Sequence, residues 1–310
     1  MTIELPSSHM APKNTQHLDT TFAPNYPSTT WLGVDLTLLG AFTPPGFDES
    51  PFDQLNYPRL AASVRAAQQG GFDFVTFGSQ FQAGSDFRHE PKFGAVYTAS
   101  RLAEVSQAGI FAGVEGQAEE INAAVDLLAA QEQGWGGITI SVSTDSDFQA
   151  IEQAAVNARA SGVRLCLIIN NPSISDQRAE FIVSVADAVR LRVADPHAAR
   201  EARFKIRAAG KRFGKDIRVF AEMGIAISAS VQAAEERFYL IERMNGCEPF
   251  AGIASVLGTV YTVADAIESW VGLGAADGII LLPASLPTDL ASALKGVIPL
   301  LQARAKLDQP

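Results

Sequence analysis

Cysteine is scarce. The 310 residues contain two, Cys166 and Cys247, with no CxxC pair and no Cys/His spacing, so neither a disulfide framework nor a zinc site is indicated. Basic residues are also in short supply, 24 against 34 acidic ones for a net charge of -10, and they form no cluster. That balance argues against nucleic acid and anionic membranes, both of which need concentrated Lys and Arg. No apolar stretch reaches the roughly 18 residues that span a bilayer. The first 30 residues lack a basic start followed by an apolar block, so no secretory signal is visible and cytoplasmic residence is the default expectation. No G-x-G-x-x-G follows the first apolar run, which argues against an open dinucleotide-binding sheet. No lysine ends an apolar run, which argues against a Schiff-base aldolase.

What is present is a long alternation. Residues 1–29 are rich in Ser, Thr, Pro and Asn without periodicity and read as a mobile N-terminal arm that holds His9 and His17. Residues 30–310 read as one domain. Eight short apolar runs follow one another: 31–36, 72–77, 109–114, 137–142, 164–169, 188–193, 218–227 and 278–282. Between them, apolar residues recur at helical spacing, as in Leu60, Val64 and Ala67 or Ile151, Ala155 and Ala158. Near-continuous apolar strands alternating with amphipathic helices describe a parallel sheet covered on both faces. Eight of them in about 250 residues predict an α/β fold of the closed (β/α)8 barrel type.

The last unit, GTVYTVADAIESWVGLGAADGIILLP (258–283), reads as a capped helix, a glycine break and the eighth strand. Thr262 is the expected N-cap, Asp265 the acidic residue of the first turn, and Val263, Ile267, Trp270 and Val271 the apolar face. The same stretch resembles the luciferase-like flavin-dependent monooxygenases, in the branch of the nitrilotriacetate and dibenzothiophene-sulfone enzymes. The residues carrying the match are Gly258-Thr259, Val263-Ala264-Asp265, Ile267, Trp270, Gly274 to Gly278 and Leu281-Leu282-Pro283. GGFDFVTFGSQF (70–81) and LLAAQEQGWGGITISVS (127–143) are similar to the family's second-strand and fourth-strand regions, and the resemblance covers most of residues 31–305.

The resemblance implies a (β/α)8 barrel with FMN, or coenzyme F420, at the C-terminal mouth. It further implies oxidation of a small organic substrate by reduced flavin and oxygen, a flavin reductase as supplier, and a homodimer. At the strand ends it implies cofactor contacts from Ser79, Glu115, Thr139, Ser141 and Ser143. The turn Asn170, Asn171, Ser173, Ser175 is a candidate phosphate cradle or an ordinary capped turn. The sequence departs from the family at Gly78-Ser79-Gln80 and Glu115-Gly116-Gln117, where relatives carry acidic or histidine-bearing segments, and in its short insertions. A non-catalytic relative serving as a binding or partner subunit, and an unrelated barrel lyase or isomerase, are the alternatives, the former also allowing that no cofactor is held. Asp35 and Glu222 are the acids expected to point into the barrel, as catalytic groups or as hydrogen-bonded structural ones. Arg190 and Arg192 alternate along the sixth run and either pair with those acids or mark an anionic ligand. No metal ligand set is present.

Overall fold

Every apolar run from the sequence becomes a strand, and all of them run parallel. The structure is a computed structural model that describes residues 30–41, 55–83, 93–103, 109–129, 136–142 and 147–307. The N-terminal segment 1–29 and Ser143 lie outside the described residues. In chain order the strands and helices are β1 (Trp31–Asp35), α1 (Tyr57–Gln69), β2 (Phe74–Phe77), α2 (Gly94–Ala103), β3 (Gly109–Glu115), α3 (Ala118–Ala129), β4 (Gly136–Ser141) and α4 (Phe148–Ala160). Then come β5 (Arg164–Ile169), α5 (Asp176–Val185), β6 (Ala188–Leu191), α6 (Pro196–Arg212), β7 (Arg218–Ile227) and α7 (Val231–Asn245). The chain closes with β8 (Ala254–Gly258), α8 (Val260–Gly272), β9 (Gly278–Pro283), α9 (Thr288–Ser292) and α10 (Ile298–Leu307).

Strands β1 to β7 pair in sequence order, and β9 bridges β7 back to β1, closing an eight-stranded barrel. The closing registers are Gly33↔Ile280 and Glu222↔Ile280, so one residue of β9 faces a partner on either side. Because all strands are parallel, their C-terminal ends lie at one rim, the mouth where barrels of this kind place their chemistry.

The ninth strand is a departure from the sequence reading, which counts eight apolar runs and none between 218–227 and 278–282. β7 is ten residues long and outgrows its neighbour: its first half pairs with β6 (Ala188↔Arg218) and its second half with β8 (Met223↔Ala254). β8 therefore sits above the end of β6, joined to it by the Ala254 N–H to Val193 carbonyl bond of 3.2 Å. The wall is taller here than elsewhere among the described strands.

The helix after β8 also starts earlier than expected. Thr259, not Thr262, is its N-cap, and Thr262 at the third helical position returns the bond to the Thr259 N–H, a reciprocal capping box. Val263, Ile267 and Trp270 are buried as expected, whereas Asp265 lies beyond the first turn and pairs with Arg304 at 2.7 Å.

The core has two shells. Outward-facing strand residues pack against the helices in one continuous cluster, whereas Trp31, Phe74, Phe111, Cys166, Phe220 and Ile280 fill the barrel interior. Phe74 lies 5.6 Å from Phe111 and 5.0 Å from Phe220 between ring centroids, so aromatic rings plug the lower barrel. The plug requires Gly33, where a Cβ would stand 2.4 Å from the Phe74 ring.

Candidate functional site at the barrel mouth

Side chains alternate along a strand, so the parity that sends Trp31, Phe74, Phe111, Cys166, Ala188 and Phe220 inward sends the next members of the series toward the mouth. Above the aromatic plug this series places Asp35 on β1, Thr76 on β2, Thr139 on β4, Arg190 on β6 and Glu222 on β7.

Four of these form one network. Arg190 donates through Nε to Glu222 Oε1, through Nη1 to Thr76 Oγ1 at 3.2 Å, and through Nη2 to Asp35 Oδ2 at 2.9 Å. Thr76 Oγ1 in turn donates to Asp35 Oδ2 at 2.7 Å, and the Thr37 N–H reaches Asp35 Oδ1 at 3.0 Å. Arg192 extends the network upward, its Nε 3.1 Å from Glu222 Oε2 in an ion-pair approach that lacks hydrogen-bond geometry. Two guanidinium groups and two carboxylates thus neutralise one another across β1, β6 and β7. Asp35 and Glu222, the acids expected inside the barrel, are both there and both paired.

The pairing governs protonation. Burial pushes the Asp35 carboxyl up, but the Arg190 guanidinium and the bonds from Thr37 and Thr76 outweigh it, and the net pKa falls below the ordinary carboxylate value. Burial works against the charge of Arg190, yet Glu222 and Asp35 hold it protonated more firmly than a free guanidinium. The neighbouring Cys166 thiol is pushed up to about 12 by burial, with Arg190 opposing, so it is inert at neutral pH. Thr139, paired in register with Cys166, is buried with its hydroxyl beside that thiol and meets no oxygen or nitrogen partner among the described residues.

One residue pair nearer the mouth, the strands end in exposed polar groups. Glu115 faces Ser141 across β3 and β4, and Asn170 follows the last β5–β6 pair, Ile169↔Leu191, opposite Arg192. Ser79 lies just past β2. Ser79, Glu115, Ser141 and Asn170 are exposed, and their side chains make no hydrogen bond or ion pair among the described residues. These four sequence candidates, with Arg192, therefore gather on the β2–β6 side of the mouth.

The turn after β5 is arranged differently. Asn171 Oδ1 accepts from the Ser173 N–H at 2.9 Å, and Ser175 Oγ caps α5 by accepting from the Arg178 N–H at 3.2 Å. Asp176 occupies the first turn of that helix and already balances its dipole. This is the geometry of a capped turn.

The opposite side of the mouth is filled. Phe250 packs flat on the inner face of β7 at Gly224, where a Cβ would meet its ring at 2.3–2.5 Å, and stacks on Phe238 of α7 at 5.2 Å. Ala226, Ile253 and Ala284 complete this small cluster. Arg237 of α7 pairs with the fully buried Asp289, which also accepts the N–H groups of Ile227 (2.8 Å) and Ser285 (2.9 Å). A groove of about 700 Å³ does open outside the barrel between α4 and α5, lined by Phe148, Phe181, Leu167 and Ile169. None of the charged core groups reaches it, and the mouth remains the place where polar and charged side chains converge.

Fold and site together define a closed (β/α)8 barrel with its polar groups at the C-terminal mouth. Among solved structures, this fold is shared by EDTA monooxygenase from Chelativorans sp. BNC1, with a TM-score of 0.65, 13% identity and coverage of 89% of this chain and 94% of that one. It is shared by a riboflavin lyase solved with modified FMN and riboflavin, with a TM-score of 0.64, 14% identity and coverage of 89% and 92%. The coenzyme F420-dependent tetrahydromethanopterin reductase from Methanopyrus kandleri is similar at a TM-score of 0.57, 12% identity and coverage of 88% and 100%. These are luciferase-like barrels, and the resemblance read from the C-terminal segment holds at the level of the fold. No protein-family model and no curated protein matches the chain. Among the described residues, no helix is long and apolar enough to cross a membrane, and no cluster of His, Cys, Asp and Glu is arranged to hold a metal.

Proposed function

We propose that the protein is a flavin-type oxidoreductase that acts on a small organic substrate at the β2–β6 side of its barrel mouth. The observation that carries this reading is the belt of Ser79, Glu115, Ser141, Asn170 and Arg192, whose polar side chains stand above the Asp35–Arg190–Glu222 ion pairs and an aromatic plug. The fold lends support, because its solved examples include a reductase dependent on coenzyme F420 and a lyase holding modified FMN.

The residues present fit such a group. Its polar rim needs N–H and O–H donors and a nearby cation, which Ser79, Ser141, Asn170 and Arg192 would supply, and the buried Thr139 hydroxyl lies beneath them with no oxygen or nitrogen partner among the described residues. Once bound, a flavin or deazaflavin supplies hydride or electron transfer. The chain's own residues orient it and shape the charge around it. Arg192 stabilises negative charge that develops at the mouth, and the Asp35–Arg190–Glu222 network, with one carboxylate more than guanidinium, holds that cation in place. The rings of Phe74, Phe111 and Phe220 keep water from entering from below.

Titration of the purified protein with FMN and with F420, read by intrinsic tryptophan fluorescence and by equilibrium dialysis, tests the reading. Saturable uptake of one of them is expected; no uptake of either overturns it. One feature favours the second reading, a non-catalytic binding barrel: Phe250 occupies the space over Gly224 and closes the β7–β9 half of the mouth. That reading predicts bound cofactor without oxygen consumption when a flavin reductase and NADH are supplied.

A further inference from the structure

Arg190 and Arg192 sit two residues apart on the same face of the sixth strand segment, yet their situations differ. Arg190 has all three of its donor nitrogens engaged by Glu222, Thr76 and Asp35. Arg192 has one engaged, Nε beside Glu222 Oε2, and its terminal nitrogens meet no acceptor among the described residues. Its side chain is 41% exposed, whereas that of Glu222 is 2% exposed. A buried carboxylate thus grips the inner edge of the guanidinium, and the outer edge faces the mouth.

We propose that this outer edge is an oxyanion subsite, with the terminal nitrogens of Arg192 gripping a carboxylate or phosphate and the Asn170 amide and Ser141 hydroxyl as neighbouring donors. The proposal deepens the flavin-type reading and rests on it only for the choice of the mouth as the site. Three physical points support it. The planar fork of a guanidinium matches two oxygens of a carboxylate or phosphate, and one held by a buried partner loses little freedom on binding. Asn170 stands opposite Arg192 across β5 and β6, about 5 Å away in backbone terms, and neither its side chain nor that of Ser141 has a competing bond among the described residues. Glu222 is also paired with Arg190, so an incoming anion does not have to break a sole ion pair to reach Arg192. Glu115 lies three strands away on β3 and confines an anion to the β4–β6 side by repulsion.

The oxyanion has two sources, a carboxylate on the substrate or the terminal phosphate of FMN. Full-length protein and its Arg192→Gln and Arg192→Lys variants are titrated with FMN, riboflavin and benzoate by calorimetry, with circular dichroism to confirm folding. Arg192→Gln leaves the Arg190–Glu222–Asp35 pairs in place, so it retains the core. A tenfold or greater loss of FMN affinity with riboflavin unchanged assigns the site to the phosphate. The same loss for benzoate with both flavins unchanged assigns it to a substrate carboxylate. In either case Lys retains part of the affinity, since it keeps the charge and loses the fork. Unchanged affinity for both FMN and benzoate in the glutamine variant, or binding of neither by the wild-type protein, overturns the proposal. If no flavin and no F420 binds while benzoate still binds through Arg192, the subsite stands and the flavin-type reading falls.

Discussion

Asp35 shows how a single side chain sets behaviour in acid. Its carboxyl titrates below the ordinary value in the folded protein because Arg190 and two threonines favour the charged form. The unfolded chain therefore takes up the proton first. The contribution to stability is complete above about pH 5 and is lost as the pH falls through the unfolded value of about 3.9 toward the folded one. Asp35→Asn is expected to cost about 3 kcal/mol at pH 7, the scale of breaking a buried ion pair. Urea unfolding at pH 7 and pH 3 checks it, because the gap between variant and wild type should shrink in acid. Thr139 gives the opposite case. Its buried hydroxyl has only the weakly bonding Cys166 thiol beside it, so Thr139→Val should leave stability unchanged or raise it by up to about 1 kcal/mol, measurable by thermal unfolding. At this scale the sequence was partly legible. The alternation of Arg190 and Arg192 along an apolar run pointed to two charges inside a barrel, and Asp35 and Glu222 were visible as their acids. Which acid meets which arginine was not legible, because the partners lie 155 and 32 residues away from Arg190 and meet only when the barrel closes.

Among the elements, the eight barrel strands stood out because each is a near-continuous apolar run bounded by glycines or polar turns. β8 did not. It has five residues, with Ser255 exposed and Val256 and Leu257 half-buried, and it pairs only with the upper half of β7. A strand that short and that little buried has neither the length nor the alternation that marks a strand in sequence. The boundary of α8 was misplaced for a related reason: Thr259 and Thr262 are both good caps, and only the reciprocal bonds between them show which comes first. Thr259→Ala should therefore lower stability by about 1 kcal/mol, read by denaturant unfolding. The contact between β7 and Phe250 makes a sharper test. Gly224→Ala drives a Cβ into the ring and should cost about 1–3 kcal/mol. Adding Phe250→Leu should recover part of that loss if the clash is the cause, so a double variant no more stable than Gly224→Ala alone argues against it.

On the scale of the whole molecule, the net charge of -10 and the pI of about 4.9 set solution behaviour apart from fold. Charge passes through zero near pH 5, where repulsion between molecules vanishes and solubility should be lowest. The Asp35 pair is still intact there. Light scattering should therefore rise near pH 5 while near-ultraviolet circular dichroism stays native, with loss of the tertiary signal only at lower pH. Coincident onset of both would mean that unfolding, not neutralisation, drives the precipitation. Closure was the most legible property at this scale, since eight alternations in one chain leave a parallel sheet with no better way to cover both edges.

The uneven rim has a consequence for how a ligand arrives. β7 and β8 raise the wall on one side, and Phe250, braced by α7, roofs the inner face there. Among the described residues the space over that half is taken, and the exposed polar groups Glu115, Ser141, Asn170 and Arg192 all stand at the ends of β3 to β6 on the other. Altering the height of the roof at Phe250 would change the size of molecule that fits without touching the groups that hold it.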